Sequence, residues 1–114
     1  ELGLTGVSEP EYRQAMPWGR DHPFRALYRE LISLRRGHPA LRRGRFRVEV
    51  AQGDQLAYTL EDASERVLVL FNRASAPVDA RPWLNAAGAA ALAQSGVESG
   101  RLAAGGYLVV RTAK

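Results

Sequence analysis

The chain has 114 residues, 46% of them apolar and 25% charged, the make-up of a soluble globular domain or of one domain with part of a second. No apolar run approaches the roughly 18 residues that a membrane-spanning helix needs, and the absence of cysteine excludes disulfides, thiolate zinc sites and thiol nucleophiles. The formal net charge of +4 comes almost wholly from arginine, Lys114 being the only lysine. That bias follows genome base composition as readily as it follows a nucleic-acid ligand. No segment of the chain reads as a signal peptide, and the first residue is Glu1, Met16 being the sole Met. The expectation is a chain that continues a longer protein.

Glu1 to Arg20 reads as a loop, because Gly3, Gly6, Pro10, Pro17 and Gly19 interrupt every periodic pattern. Loops of this length in compact domains are often functional. A helix is expected from about Pro23 to Arg36, with Asp21 able to cap it and Pro23 suited to its first turn. Phe24, Leu27, Tyr28, Leu31, Ile32 and Leu34 fall on one apolar stripe. At roughly 1.5–3 kcal/mol per buried side chain, that stripe calls for a covering surface, either the sheet or a partner beyond this sequence. Gly37-His38-Pro39 stops the helix.

The period then changes. Phe46, Val48 and Val50 alternate with Arg47 and Glu49, predicting a half-buried strand on which Phe46 points inward. Gln52-Gly53-Asp54 turns into a second strand, Leu56 to Leu60, so the two form a hairpin. Glu61 to Glu65 is turn-like, and Arg66 to Asn72 carries a continuous apolar run expected of a central strand buried on both faces. Pro77 to Pro82 suggests a short edge segment. Leu84 to Gly100 suggests loops with short strands, and Gly105-Gly106 a turn into a final strand, Tyr107 to Arg111. Strands following a helix indicate separate domains or an α+β arrangement.

In this order, several segments resemble the end of family 13 glycoside hydrolases, the α-amylase family, and above all its neopullulanase, cyclomaltodextrinase and maltogenic amylase group. Glu1-Leu2-Gly3-Leu4-Thr5-Gly6 resembles the end of the eighth barrel strand. Ser8-Glu9-Pro10-Glu11-Tyr12-Arg13 is similar to an acidic-Pro-x-x-Arg segment, and Met16-Pro17-Trp18 to a Met/Phe-Pro-Trp step. Phe24 to Leu41 resembles the last barrel helix and its exit, Arg66 to Asn72 the core strand of the following domain, and Gly105 to Arg111 its closing strand. The likeness takes in nearly the whole chain, with Leu84 to Ala104 matched only loosely.

The resemblance implies a mostly β fold. Residues 1–42 would be the strand-8 loop and last helix of a catalytic (β/α)8 barrel, and residues 43–114 a C-terminal Greek-key β-sandwich. It implies an α-glucan or maltodextrin substrate for the intact enzyme and a cytoplasmic setting; no cofactor or metal is expected from the residues. The family's two catalytic carboxyl groups, about 5 Å apart, and the third carboxylate that assists them would lie upstream of Glu1. This chain alone is therefore expected to be inactive and mainly structural. By resemblance, Glu9 and Arg13 would contact glucose hydroxyls on the donor side of the cleavage site, a carboxylate accepting from vicinal hydroxyls and a guanidinium donating. Many family members have Asp where Glu9 stands.

The residues themselves keep other readings open. Glu9 and Arg13 would equally form an ion pair within the loop. Trp18 is read as a loop anchor and Trp83 as core or sheet edge. His22 and His38 are read as helix-terminus residues, with no third ligand at metal-binding spacing. A carbohydrate-binding sandwich would need exposed aromatic residues, for which Tyr58, Trp83 and Tyr107 are candidates. The run Arg35, Arg36, Arg42, Arg43, Arg45 and Arg47 would serve nucleic acid only with interleaved aromatics, and Phe46 alone lies among them. The apolar stripe, left without its barrel, would promote self-association.

Overall fold

Asp21-His22-Pro23 starts the first helix in a way that the sequence only half discloses. In the computed structural model, which describes residues 2–8 and 14–113, α1 spans Pro23–Gly37. The Asp21 carboxylate accepts the N–H of His22 at 2.9 Å. The His22 ring does the work of a cap, its Nδ1 accepting the N–H of Phe24 at 3.2 Å. That ring packs edge-on against Phe24 and leaves no room for a side chain at Gly3, whose φ of +64° also favours glycine. The described residues before α1 form neither helix nor strand. No residue of α1 is buried, and Phe24, Tyr28, Leu31 and Ile32 are all exposed.

The chain divides into two compact units, Glu1–Leu34 and Arg35–Lys114. The second begins with the last turn of α1 and the five-residue helix α2, Pro39–Arg43. Pro39 suits the start of a helix because its missing N–H is no loss there. Gly44 ends α2, its N–H donating to the Ala40 carbonyl at 2.8 Å. A Cβ on Gly44 would lie 2.4 Å from that oxygen and 2.9 Å from the Glu61 nitrogen, so only glycine fits between helix and sheet.

Six strands follow: β1 Arg45–Gln52, β2 Gln55–Glu61, β3 Arg66–Asn72, β4 Val78–Asp79, β5 Ala90–Glu98 and β6 Arg101–Thr112. A short helix, α3 at Arg81–Leu84, lies between β4 and β5. Every pairing is antiparallel, and the strand order is β1-β2-β3-β6-β4, with β5 also paired to β6. The fold is thus mostly β, a curled antiparallel sheet of the kind found in β-sandwich domains. The β5–β6 hairpin turns through Ser99 and Gly100, both at positive φ, as a two-residue loop between twisted strands requires.

As its apolar run implies, β3 is central. Val67, Leu68, Val69 and Leu70 are all buried, between β2 on one side and β6 on the other. The core cluster is built on one face, from Ala57, Leu70, Leu108 and Val110 closed over by Ala80 and Leu102. Each large apolar side chain there contributes roughly 1.5–3 kcal/mol by leaving water. Asn72, fully buried at the end of β3, donates to the carbonyls of Ala76 at 2.9 Å and Leu102 at 3.1 Å. Its Oδ1 accepts the N–H of Ala74 at 2.9 Å. It therefore closes the turn after β3 and holds the start of β6.

Three expectations are corrected. Phe46 does not point into the core, being 58% exposed, and Val48 is 48% exposed. The register slips between Val48 and Val50: Val48 stands opposite Tyr58 but Val50 opposite Ala57. A bulge at Glu49 therefore sends Val50 to the core face and leaves Phe46 and Val48 on the other. Residues 90–98 form one nine-residue strand, where short strands and loops were expected. Gly105-Gly106 lies inside β6, where residues 103–106 stand opposite the single Gly96 of β5; the glycines bend one strand instead of separating two.

Candidate functional site

The residues expected to meet substrate, Glu9 and Arg13, lie outside the described residues. Among the described residues of the first unit, Leu2, Gly3, Leu4 and Met16 face Phe24 and Tyr28 across a shallow groove. Gln14 Nε2 donates to the Thr5 carbonyl at 3.0 Å and joins the two described arms of the loop. Trp18, expected to anchor this loop to the barrel, is 86% exposed in this chain on its own.

The arginine run does not form one surface stripe. The Arg35 guanidinium donates to the Leu41 carbonyl, Arg42 and Arg43 occupy the last turn of α2, and Arg47 pairs with Glu49 at 3.2 Å. The aromatic candidates separate as well. Strand register puts Tyr58 and Tyr107 on one face, each opposite or diagonal to Phe71. Tyr58 lies among rings there, 5.1 Å from Phe46 and 6.4 Å from Phe71, and its burial pushes the phenol pKa up. Trp83 belongs to the other face, packed half-buried against the core cluster.

That other face carries a cleft of ≈ 900 Å³ between β1, β2, the β2–β3 turn and the segment after α3. The Glu49 bulge brings its carboxylate to this side, where Oε1 accepts from Thr59 Oγ1 at 2.9 Å. Arg66 donates to Glu61 at 2.6 Å. Asp62 accepts from the hydroxyl and N–H of Ser64, and these bonds lower its pKa, with help from the N–H of Glu65 and the nearby charge of Arg43. Arg45, Arg47, Leu68, Thr112 and Trp83 also line it. No motif in the residue order announces this cleft. Its one trace is the alternation of Arg45, Arg47 and Glu49, and only the bulge turns that into a shared surface.

Other acidic residues hold structure together. Asp79 takes the Arg81 guanidinium through two bonds of 2.9 Å. Those bonds, with the Arg81 N–H, lower its pKa to about 2. Among the described residues no group of three His, Asp or Glu side chains could hold a metal ion, and no helix is long and apolar enough to cross a membrane. His22 and His38 sit at helix starts, as expected.

Comparison with known proteins places these features in context. No protein-family profile matches the chain. A cyclomaltodextrinase of Geobacillus thermopakistaniensis (strain MAS1) is 35% identical over 96 residues, 74% of this chain and 16% of that protein. A cyclomaltodextrinase of a Bacillus species is 38% identical over 77 residues, 63% of this chain and 14% of that one. The chain is homologous to the cyclomaltodextrinases, within the α-amylase family. A third cyclomaltodextrinase, from Thermoanaerobacter pseudethanolicus (strain ATCC 33223 / 39E), is 30% identical over 66% of the chain. The solved structure of Eubacterium rectale Amy13B superposes with a TM-score of 0.55 over 73% of this chain and 18% of its own, at 22% identity, which speaks to the fold alone. The chain spans about one sixth of the length of the cyclomaltodextrinases it matches.

Proposed function

We propose that this chain is the C-terminal part of an α-glucan-acting retaining glycoside hydrolase, in which residues 1–42 complete the catalytic barrel and residues 43–114 form a mainly structural β-sandwich. The observation that carries the reading is the length of the match: most of this chain aligns with a small fraction of the cyclomaltodextrinases. The chemistry agrees. Glu49, Glu61, Glu65 and Asp79 are committed to partners within the sheet unit, so none is offered as a nucleophile or as a general acid. The paired carboxyl groups that retaining hydrolysis needs are then supplied from upstream of Glu1.

In that reading the opening loop belongs to the rim of the barrel, where loops after the strands build the active site. Glu9 would accept from two neighbouring glucose hydroxyls and Arg13 would donate to a hydroxyl or ring oxygen, both on the donor side. The exposed stripe of α1, at Phe24, Tyr28, Leu31 and Ile32, would be covered by the barrel. Without the barrel it would favour self-association. The test joins this chain to the upstream portion of a cyclomaltodextrinase relative and measures maltodextrin hydrolysis. Activity that falls on Glu9→Ala or Arg13→Ala, mainly through KM, supports the loop assignment. Activity indifferent to both substitutions overturns it.

A further inference from the structure

The cleft on the core side of the sheet has no part in the reading above, yet its composition is selective. Three arginines, Arg45, Arg47 and Arg66, face three carboxylates, Glu49, Glu61 and Asp62. The formal charges cancel, which disfavours phosphate, nucleic acid or any other strongly charged ligand. What remains is a surface of interleaved donors and acceptors. Guanidinium groups present fixed N–H forks and carboxylates present paired acceptors. A chain of vicinal hydroxyls, each both donor and acceptor, matches that pattern.

Trp83 supplies the apolar half of such a site. Trp83 packs against the core cluster, yet it stays partly exposed and lines the cleft. No described residue accepts a hydrogen bond from its indole N–H, and that N–H is not sealed away from solvent. An amphipathic ring of this kind, with an apolar body and a free polar edge, commonly meets ligands that are part apolar and part hydroxylated. The volume of ≈ 900 Å³ lies within the range of about 300–1,000 Å³ common to small-ligand sites.

We propose that this cleft binds a short stretch of α-glucan, with the Trp83 indole against a sugar face and with Arg47, Glu49 and Arg45 bonding its hydroxyls. The choice of an α-linked glucan rests on the proposed function. The neutral, hydroxyl-matching chemistry rests on the cleft alone. The Thr59–Glu49 and Arg66–Glu61 bonds hold the polar rim in place before ligand arrives, which reduces the ordering cost of binding.

Trp18→Phe in the 114-residue chain leaves Trp83 as the only indole. Titrating that chain with maltoheptaose, cellohexaose and a heparin oligosaccharide, followed by Trp83 emission and by calorimetry, tests the proposal. A saturable response to maltoheptaose, weakened about tenfold by Arg47→Ala, is the expected result. Arg47 is well exposed, so its loss does not threaten the fold as Trp83→Ala would. No response to any saccharide, or maltoheptaose binding that Arg47→Ala leaves unchanged, overturns the cleft while the family reading stands. Preference for cellohexaose overturns the α-glucan assignment, and preference for heparin overturns the neutral-ligand argument.

Discussion

Nδ1 of His38 lies 2.8 Å from Oε2 of Glu65, and the other oxygen of the same carboxylate accepts the N–H of Ala40 at 3.2 Å. Glu65 is nearly buried, at the entrance to the central strand, so one side chain joins the start of α2 to the sheet. A buried carboxylate must be paired to be tolerated, and here both of its oxygens are. Glu65→Ala strips a partner from His38 and from the Ala40 N–H, and should cost about 2–3 kcal/mol. Urea unfolding followed by circular dichroism measures it; a loss within experimental error would show that α2 is held by other contacts.

Asn72 joins the turn after β3 to the start of β6 through three hydrogen bonds. Asn72→Ala takes a hydrogen-bond partner from the buried Leu102 carbonyl and from the part-buried Ala76 carbonyl and Ala74 N–H, and should destabilise the sheet by about 2 kcal/mol. Asn72→Asp should be worse, since it loses the amide donor and sets a negative charge against two carbonyl oxygens. An Asp variant as stable as wild type would contradict the assignment of donors.

Asp79 makes a pH prediction with a definite sign. Its folded-state pKa is depressed, to about 2, chiefly by the hydrogen bonds from Arg81. A depressed carboxylate stabilises the fold above its unfolded value of about 3.9 and loses that contribution as pH falls through the folded value. Stability should therefore decline between about pH 4 and pH 2. Asp79→Asn should flatten the decline over that window. An identical pH profile for the variant would remove Asp79 from the account.

Periodicity made part of this architecture readable in the sequence. The helix at Pro23–Gly37, the β1–β2 hairpin and the doubly buried β3 each have a run of side chains large enough to show their period. What escaped was wherever backbone irregularity overrides period two. The Glu49 bulge reverses the facing of Val50 relative to Phe46, so an alternation that looked like one buried face serves two. In β5, alanine and glycine offer little contrast between faces, and shifts between Ala91 and Ala93 and between Ser95 and Val97 break its alternation. The cleft was hidden for the same reason: it depends on that bulge and on Trp83 arriving from a different element. The expected substrate contacts, Glu9 and Arg13, came from likeness and not from spacing.

The exposed stripe of α1 leads to a prediction about solution behaviour. Phe24, Tyr28, Leu31 and Ile32 offer an apolar surface that a second molecule could cover. The 114-residue chain should self-associate as its concentration rises, and Tyr28→Ser with Ile32→Ser should shift it toward monomer. Light scattering over a concentration series decides the matter. A monodisperse monomer at high concentration would count against the stripe as a surface in need of cover.

The central claim is that this chain is the end of an α-glucan hydrolase whose catalytic carboxylates lie elsewhere. The direct measurement is hydrolysis of maltodextrin and cyclodextrin by the purified 114-residue chain, set beside the same chain joined to an upstream cyclomaltodextrinase barrel. The account predicts no turnover by the chain alone and activity in the joined protein. Turnover by the chain alone, surviving rigorous purification and abolished by substitution of one of its own carboxylates, would contradict it.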